Sequence, residues 1–369
     1  MNDQTNDSDA GAGARGSRRA DAGAGAATLP GRDQEPTRVA VVADAIEWPA
    51  GVRHPLAQLL DRDIPGHDLE VITPSLTGIE EAMTERRYEL LHVCAPSPVA
   101  LAALDLALIA GIPAACSFAT AGHSESALAP FYGQCEVIFS PGPVADAALR
   151  QRGIEGRKIR RLEPGLDRER FHPARYCPDA LSSDTVNVLH VGSLACEHGG
   201  ELLADAFLLA RDREPRLHLF LVSSGPDEPR LATRLGHAAT FLGAVQEDAL
   251  ARLYASADLL VFMSGTDPFG QVILEAQASG LPVLSVDAGD PAQLIESGRS
   301  GCLVPPEPEP LASAIRGLGR RAAVRDRLAT GGLLSVRERG LQLSLEQLVD
   351  GWRIAARRRP RARGVPSAA

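Results

Sequence analysis

The chain has 369 residues, 44% of them hydrophobic and 23% charged, which is length for two ordinary domains and the composition of a globular protein. Its formal net charge of −9 argues against a nucleic-acid groove, which needs a basic face, and no apolar run reaches the roughly 20 residues of a membrane span. Aromatic residues make up only 4%, so the core must be built from aliphatic side chains.

Residues 1–37 are rich in Asp, Gly, Ala, Ser and Arg without periodicity and read as a disordered tail. They show no charged-then-apolar leader pattern. The six cysteines, at 94, 116, 135, 177, 196 and 302, have no paired metal spacing. Several stand in apolar strands, as reduced thiols do. A cytoplasmic protein is expected.

The first predicted strand, Arg38–Ala43, is a continuous apolar run of the kind buried in a parallel sheet. The turn Trp48–Gly51 leads to a helix from about Val52 to Leu60. Gly51 there suits either a tight turn or the approach of a ligand to backbone. Further strands are expected at 69–72, 90–94, 114–118 and 137–140, with helices at 99–110 and 143–152 between them. This alternation implies a parallel, doubly wound sheet. Residues 174–184, with Pro178 and Ser182-Ser183-Asp184, read as a linker.

A second α/β unit begins near Thr185. Its first strand ends at Val191-Gly192-Ser193, and open α/β sheets place ligands at such carboxyl ends. The strand 217–222 runs into the turn Ser223-Ser224-Gly225-Pro226. Residues 247–255 form an amphipathic helix whose Leu250, Leu253 and Tyr254 belong to the core.

The stretch Asp267-Pro-Phe-Gly-Gln-Val-Ile-Leu-Glu275-Ala276 follows the apolar strand Asp258–Met263. Asp267 falls in a turn and Glu275 some two helical turns inside the next helix, so both carboxylates can face one crevice. Between them, the backbone N–H groups of Phe269, Gly270 and Gln271 make a helix N-terminus suited to phosphate. An acidic group further on suits ribose hydroxyls. Residues 308–339 read as two surface helices. A last helix is expected from Ser344 to about Arg358, with Ser344 and Gln347 as a capping box. The basic tail beyond it, 360–369, is either solvated or a contact for anionic lipid.

The central stretch resembles the acid, seven residues, glutamate signature of retaining glycosyltransferases of the GT-B type, family 4. The resemblance runs from Val186 to Ala312 through VNVLHVGSLACEHGG, LADAFLLA, ATFLGAV, LARLYASADLLVF, FGQVILEAQASGLPV and SGCLVPP. The segment Ile159–Pro173 is similar to that family's entry into the hinge.

The resemblance implies two Rossmann-like domains facing across a cleft. Residues 38–173 would be the acceptor domain and 185–340 the nucleotide-sugar domain. A helix over 341–359 would cross back toward the first. It also implies that Asp267 holds donor-sugar hydroxyls, that Glu275 holds ribose, and that amides at Phe269, Gly270 and Gln271 receive phosphate. Gly192, Ser193, His198, Gly225, Ala244 and Val245 would line the donor site. Gly51, Arg53, His54 and Thr120 would border the acceptor. The chain departs from the family pattern at Ala119, Ser193 and His198, where the family carries histidine, arginine and lysine.

The implied activity is metal-free transfer of a hexose from a nucleoside-diphosphate sugar, of GDP-mannose or UDP-glucose type, to an acceptor hydroxyl. The acceptor would be a glycan, a lipid or a small molecule. The three departures favour an alternative, a catalytically impaired relative that binds or regulates. A nucleotide-sugar epimerase shares the architecture and is a third reading.

Overall fold

A computed structural model describes residues 36–42, 59–60, 62–72, 79, 81, 88–118, 125–194, 199–222, 225–264 and 270–358. The first half forms strands β1 (Thr37–Val42), β2 (His67–Ile72), β3 (Leu90–Val93), β4 (Ala114–Ser117), β5 (Val137–Ser140) and β6 (Ile159–Arg161), the central ones from short, mainly apolar runs. They pair in parallel in the order β2-β1-β3-β4-β5-β6. Val39 and Val41 of β1 stand opposite Leu90 and His92 of β3. The strands β3, β4 and β5 are buried at every position, because helices cover both faces of a parallel sheet. The edge strand β2 instead carries exposed Asp68 and Glu70, which discourage pairing with another chain.

Helices α1 (Pro98–Ala110), α2 (Glu125–Gln134) and α3 (Pro143–Gln151) connect these strands. The start of α1 is encoded locally: the Ser97 hydroxyl oxygen accepts from the Ala100 N–H at 2.9 Å and proline opens the first turn.

The second half repeats the plan with β7 (Val186–Val191), β8 (Leu217–Val222), β9 (Ala239–Phe241), β10 (Leu259–Phe262), β11 (Val283–Val286) and β12 (Cys302–Val304). The order is β12-β11-β10-β7-β8-β9, again parallel. The apolar runs read as strands in the sequence form strands, with ends displaced by a residue or two. Among the described residues, the helices of this half are α4 (Gly200–Arg213), α5 (Glu228–Leu235), α6 (Glu247–Ser256), α7 (Gln271–Ala278), α8 (Gly289–Ala292), α9 (Pro308–Arg320) and α10 (Ala322–Ser335). One core joins α4 and α9 to the sheet, and another joins α6 and α7 to its other face. Leu250, Leu253 and Tyr254 of α6 are buried, as their spacing predicts.

The last helix, α11 (Leu341–Arg357), lies on the first sheet, where Leu348, Trp352 and Ala355 join Val39, Val41, Val137 and Phe139 in one core. Gly351 is required here by proximity, since a Cβ would overlap Cε1 and Cζ at the edge of the Phe139 ring. The Trp352 indole N–H donates to His92 Nδ1 at 2.8 Å, and His92 Nε2 lies 3.1 Å from Ser117 Oγ. With Nδ1 accepting, the proton of the neutral ring sits on Nε2.

The helix does not start at Ser344. It starts at Leu341, after Gly340, and the expected capping box does not form. Ser344 is buried inside the helix, and its hydroxyl donates to the Glu163 carbonyl at 2.7 Å. Gln347 Oε1 accepts from the Glu163 N–H at 2.7 Å. The two residues satisfy the backbone of the crossover between the two sheets instead of their own first turn, because a peptide unit held against a helix must find partners there.

Candidate functional site

Topology alone marks one crevice in the second half. From β7 the chain winds outward through α4 to β8 and β9, then returns to lay β10 against the other side of β7 and winds away through β11 and β12. The carboxyl ends of β7 and β10 therefore flank a switch point, where helices leave in opposite directions and ligands fit open α/β sheets. The first sheet has the corresponding point between β1 and β3.

After β7 comes Gly192, at φ 145°, a backbone conformation that L side chains rarely adopt. Ser193 follows half-buried and Leu194 fully buried. Gly225, after β8, has a packing reason independent of any ligand. A Cβ there would stand 2.9 Å from the carbonyl carbon of Leu194 and 3.0 Å from its nitrogen. Its lack of a side chain lets the two loops lie against each other. Past β9, Ala244 is exposed and Val245 half-buried, after a turn made by Gly243 at φ 65°.

After β10 the chain enters α7 through Gly270, at φ 58°, whose carbonyl accepts from the N–H groups of Ile273 and Leu274 at 3.0 and 3.2 Å. The left-handed glycine is not helical, so the helix begins at Gln271 and Glu275 is its fifth residue. The carboxylate thus lies just over one turn inside rather than two, because the helix starts only after Gly270. The first N–H groups of α7 have no carbonyl before them within the helix, which leaves its positive end at this crevice.

Every residue of α7 is buried, so its polar side chains need explanation. Gln277 has a structural one: its Nε2 donates to the Ser300 carbonyl at 3.1 Å and its Oε1 accepts from Ser335 Oγ at 3.3 Å. Glu275 is 4% exposed, and its Oε1 accepts from Gln271 Nε2 at 3.1 Å. The same nitrogen donates to the Gly165 carbonyl at 3.1 Å, while Gln271 Oε1 is buried without a partner among the described residues. Burying a carboxylate is costly, and such groups concentrate where a protein does chemistry or binds ligands.

Gly192 and Ser193 thus follow β7, Gly225 comes after β8, and Gly270, Gln271 and Glu275 come after β10, three strands that are neighbours in the sheet. The expected residues Gly51, Arg53, His54, Ala119, Thr120, His198, Asp267 and Phe269, and the basic tail 360–369, lie outside the described residues. Among the described residues, no group of three or more His, Cys, Asp and Glu is placed to hold a metal ion. No helix among them is long and apolar enough to cross a membrane. Sequence reasoning missed the Gln271 side chain, having given Gln271 only a backbone role. The available signal was its place four residues before Glu275, on the same face of a helix.

Residues 185–320 match the family model "Glycosyl transferases group 1". The chain is 32% identical over 273 residues to the GDP-mannose-dependent alpha-mannosyltransferase of Corynebacterium glutamicum, a match covering 69% of this chain and 62% of that protein. It is 30% identical to the mannosylfructose-phosphate synthase of Agrobacterium fabrum, over 47% of this chain and 43% of that one. The chain therefore spans less than two thirds of the length of these relatives. Among solved structures, it resembles sucrose-phosphate synthase from Thermosynechococcus elongatus, with TM-score 0.72 and 20% identity over 86% of this chain and 98% of that one. It also resembles Anabaena Alr3699/HepE in complex with UDP and glucose, with TM-score 0.71 and 17% identity over 85% and 98% of the two chains. These likenesses show the fold: two six-stranded parallel α/β units of the GT-B glycosyltransferase type. Residues 185–320 thus carry a match to the glycosyl transferases group 1 family model, on a chain with the GT-B fold.

Proposed function

We propose that this chain is a retaining, metal-independent hexosyltransferase that takes a nucleoside-diphosphate sugar, GDP-mannose before UDP-glucose, and transfers its hexose to an acceptor hydroxyl. The observation that carries the reading is Glu275, a carboxylate 4% exposed in the first turns of α7 at the switch point between β7 and β10. The relatives named for GDP-mannose support the choice of donor.

In this reading Glu275 accepts hydrogen bonds from the ribose hydroxyls. Asp267 holds hydroxyls of the donor sugar. The N–H groups of Phe269, Gly270 and Gln271 receive phosphate at the positive end of α7. Gly192, Gly225, Ala244 and Val245 line the nucleotide, and Ser193 and His198 face its diphosphate. Ser193 supplies one hydrogen bond and His198 a titratable cation. Residues 185–340 form the donor domain, residues 38–173 the acceptor domain, and 341–359 the returning helix. Gly51, Arg53, His54 and Thr120 border the acceptor.

The acceptor oxygen bonds to the anomeric carbon on the face from which the diphosphate oxygen departs. The acceptor's proton leaves with the diphosphate. Stabilising the charge on that leaving group is the main demand on the site.

The test is to supply GDP-mannose or UDP-glucose and follow nucleoside-diphosphate release together with the anomeric configuration of the released or transferred sugar by NMR. Release from one donor with the donor's configuration kept is expected. Inverted product, or no release from either donor, contradicts the reading.

A further inference from the structure

The crossover from the first sheet to the second passes through Glu163 and Gly165, and the second half grips it from two sides. From α11, Ser344 and Gln347 take the carbonyl and N–H of Glu163, each at 2.7 Å, and Arg339 pairs with its carboxylate at 3.3 Å. From α7, Gln271 takes the Gly165 carbonyl at 3.1 Å. Gly165 has no room for a side chain: a Cβ would lie 2.8 Å from Leu341 Cδ2 and 3.0 Å from Ser344 Oγ. Further along, Asp167 Oδ1 accepts from the N–H groups of Glu169 and Arg170 at 3.1 Å each, and Arg170 pairs with Glu247.

One nitrogen therefore joins two functions. Gln271 Nε2 spends its two hydrogens on Glu275 Oε1 and on the Gly165 carbonyl. Its oxygen has no partner among the described residues, so the described hydrogen bonds hold the amide through its nitrogen alone. A shift of the crossover moves the Gly165 carbonyl. The amide must then follow it or release it, and either changes what Glu275 receives. The crossover is in turn set by α11, which the His92–Trp352 bond fastens to the first sheet.

We propose that Gln271 is a positioning residue that fixes the Glu275 carboxylate for a nucleoside diphosphate and ties it to the crossover, so that nucleotide affinity depends on how α11 grips residues 163–165. This inference rests on the reading of Glu275 as the ribose-binding carboxylate.

The experiment is calorimetric titration of GDP and UDP into the full chain and its variants. Gln271→Met keeps the length of the side chain and removes the donor. It should weaken binding about tenfold, the worth of one hydrogen bond to a charged group. Ser344→Ala, whose residue touches the crossover and not Glu275, should weaken binding about threefold in the unaltered background and not at all beside Gln271→Met. That non-additivity is the signature of a relay, and a merely structural side chain would not produce it. If Gln271→Met fails to fold by circular dichroism, Gln271→Asn, which keeps the amide and shortens its reach, should show the same weakening.

Gln271 variants that bind as the unaltered protein does, or losses that multiply in the double variant, overturn the inference and leave the reading of Glu275 standing. Failure of the unaltered protein to bind either nucleotide overturns both.

Discussion

His92 in the first half and Gln271 in the second are both polar side chains buried beside a sheet, and they are satisfied differently. His92 is fully buried, with Nδ1 accepting from Trp352 and Nε2 beside Ser117. It forms a completed network whose product is a helix docked on a sheet. Gln271 is 2% exposed, engages its nitrogen twice and leaves its oxygen without a partner among the described residues, next to a buried carboxylate at a switch point. Buried polar groups must be partnered, and the same rule yields fastening where the network is complete and a candidate site where it is not.

That contrast is open to direct attack. Trp352→Ala removes the largest fully buried side chain among the described residues and the donor to His92. It should cost about 3–5 kcal/mol of stability in urea or guanidinium unfolding. A loss near zero would mean that α11 does not depend on this network. Gly351→Ala places a methyl group against Phe139 and should cost about 1–3 kcal/mol by overpacking, read the same way. On the side of the site, Ser193→Arg brings a cation to the end of β7. It should raise affinity for GDP about fivefold at low salt, and the gain should shrink as salt is added. An unchanged affinity would place the diphosphate elsewhere.

The smallest effect concerns His67, whose ring lies 5.5 Å from that of Trp352. Burial lowers its pKa, with Arg353 acting in the same direction and the hydrogen bond to the Pro65 carbonyl opposing. The folded chain thus disfavours protonation relative to the unfolded one. Stability is full above the ordinary histidine value of about 6.5 and declines as pH falls below it. His67→Gln should flatten that decline in thermal melts across the acid range, whereas an unchanged slope would assign it to other groups.

The central strands were legible because buried parallel strands are continuous apolar runs, as in β10, Leu-Leu-Val-Phe, buried at all four of its positions. The place of Glu275 on a helix after a glycine was legible because that succession is a local pattern. What escaped was non-local. Ser344 and Gln347 have the spacing of a capping box, yet their partner Glu163 lies 181 and 184 residues away in sequence. The side-chain role of Gln271 escaped for the same reason, since the Gly165 carbonyl is 106 residues distant. The depth of Glu275 in its helix was overestimated because one left-handed glycine moved the helix start to Gln271.

The most direct measurement is calorimetric titration of GDP, UDP, GDP-mannose and UDP-glucose into the unaltered protein and into Glu275→Ala. The account predicts specific binding of one nucleotide with its sugar form, abolished by the substitution. Binding that survives Glu275→Ala undiminished, or no binding of any of them at millimolar ligand, would contradict it.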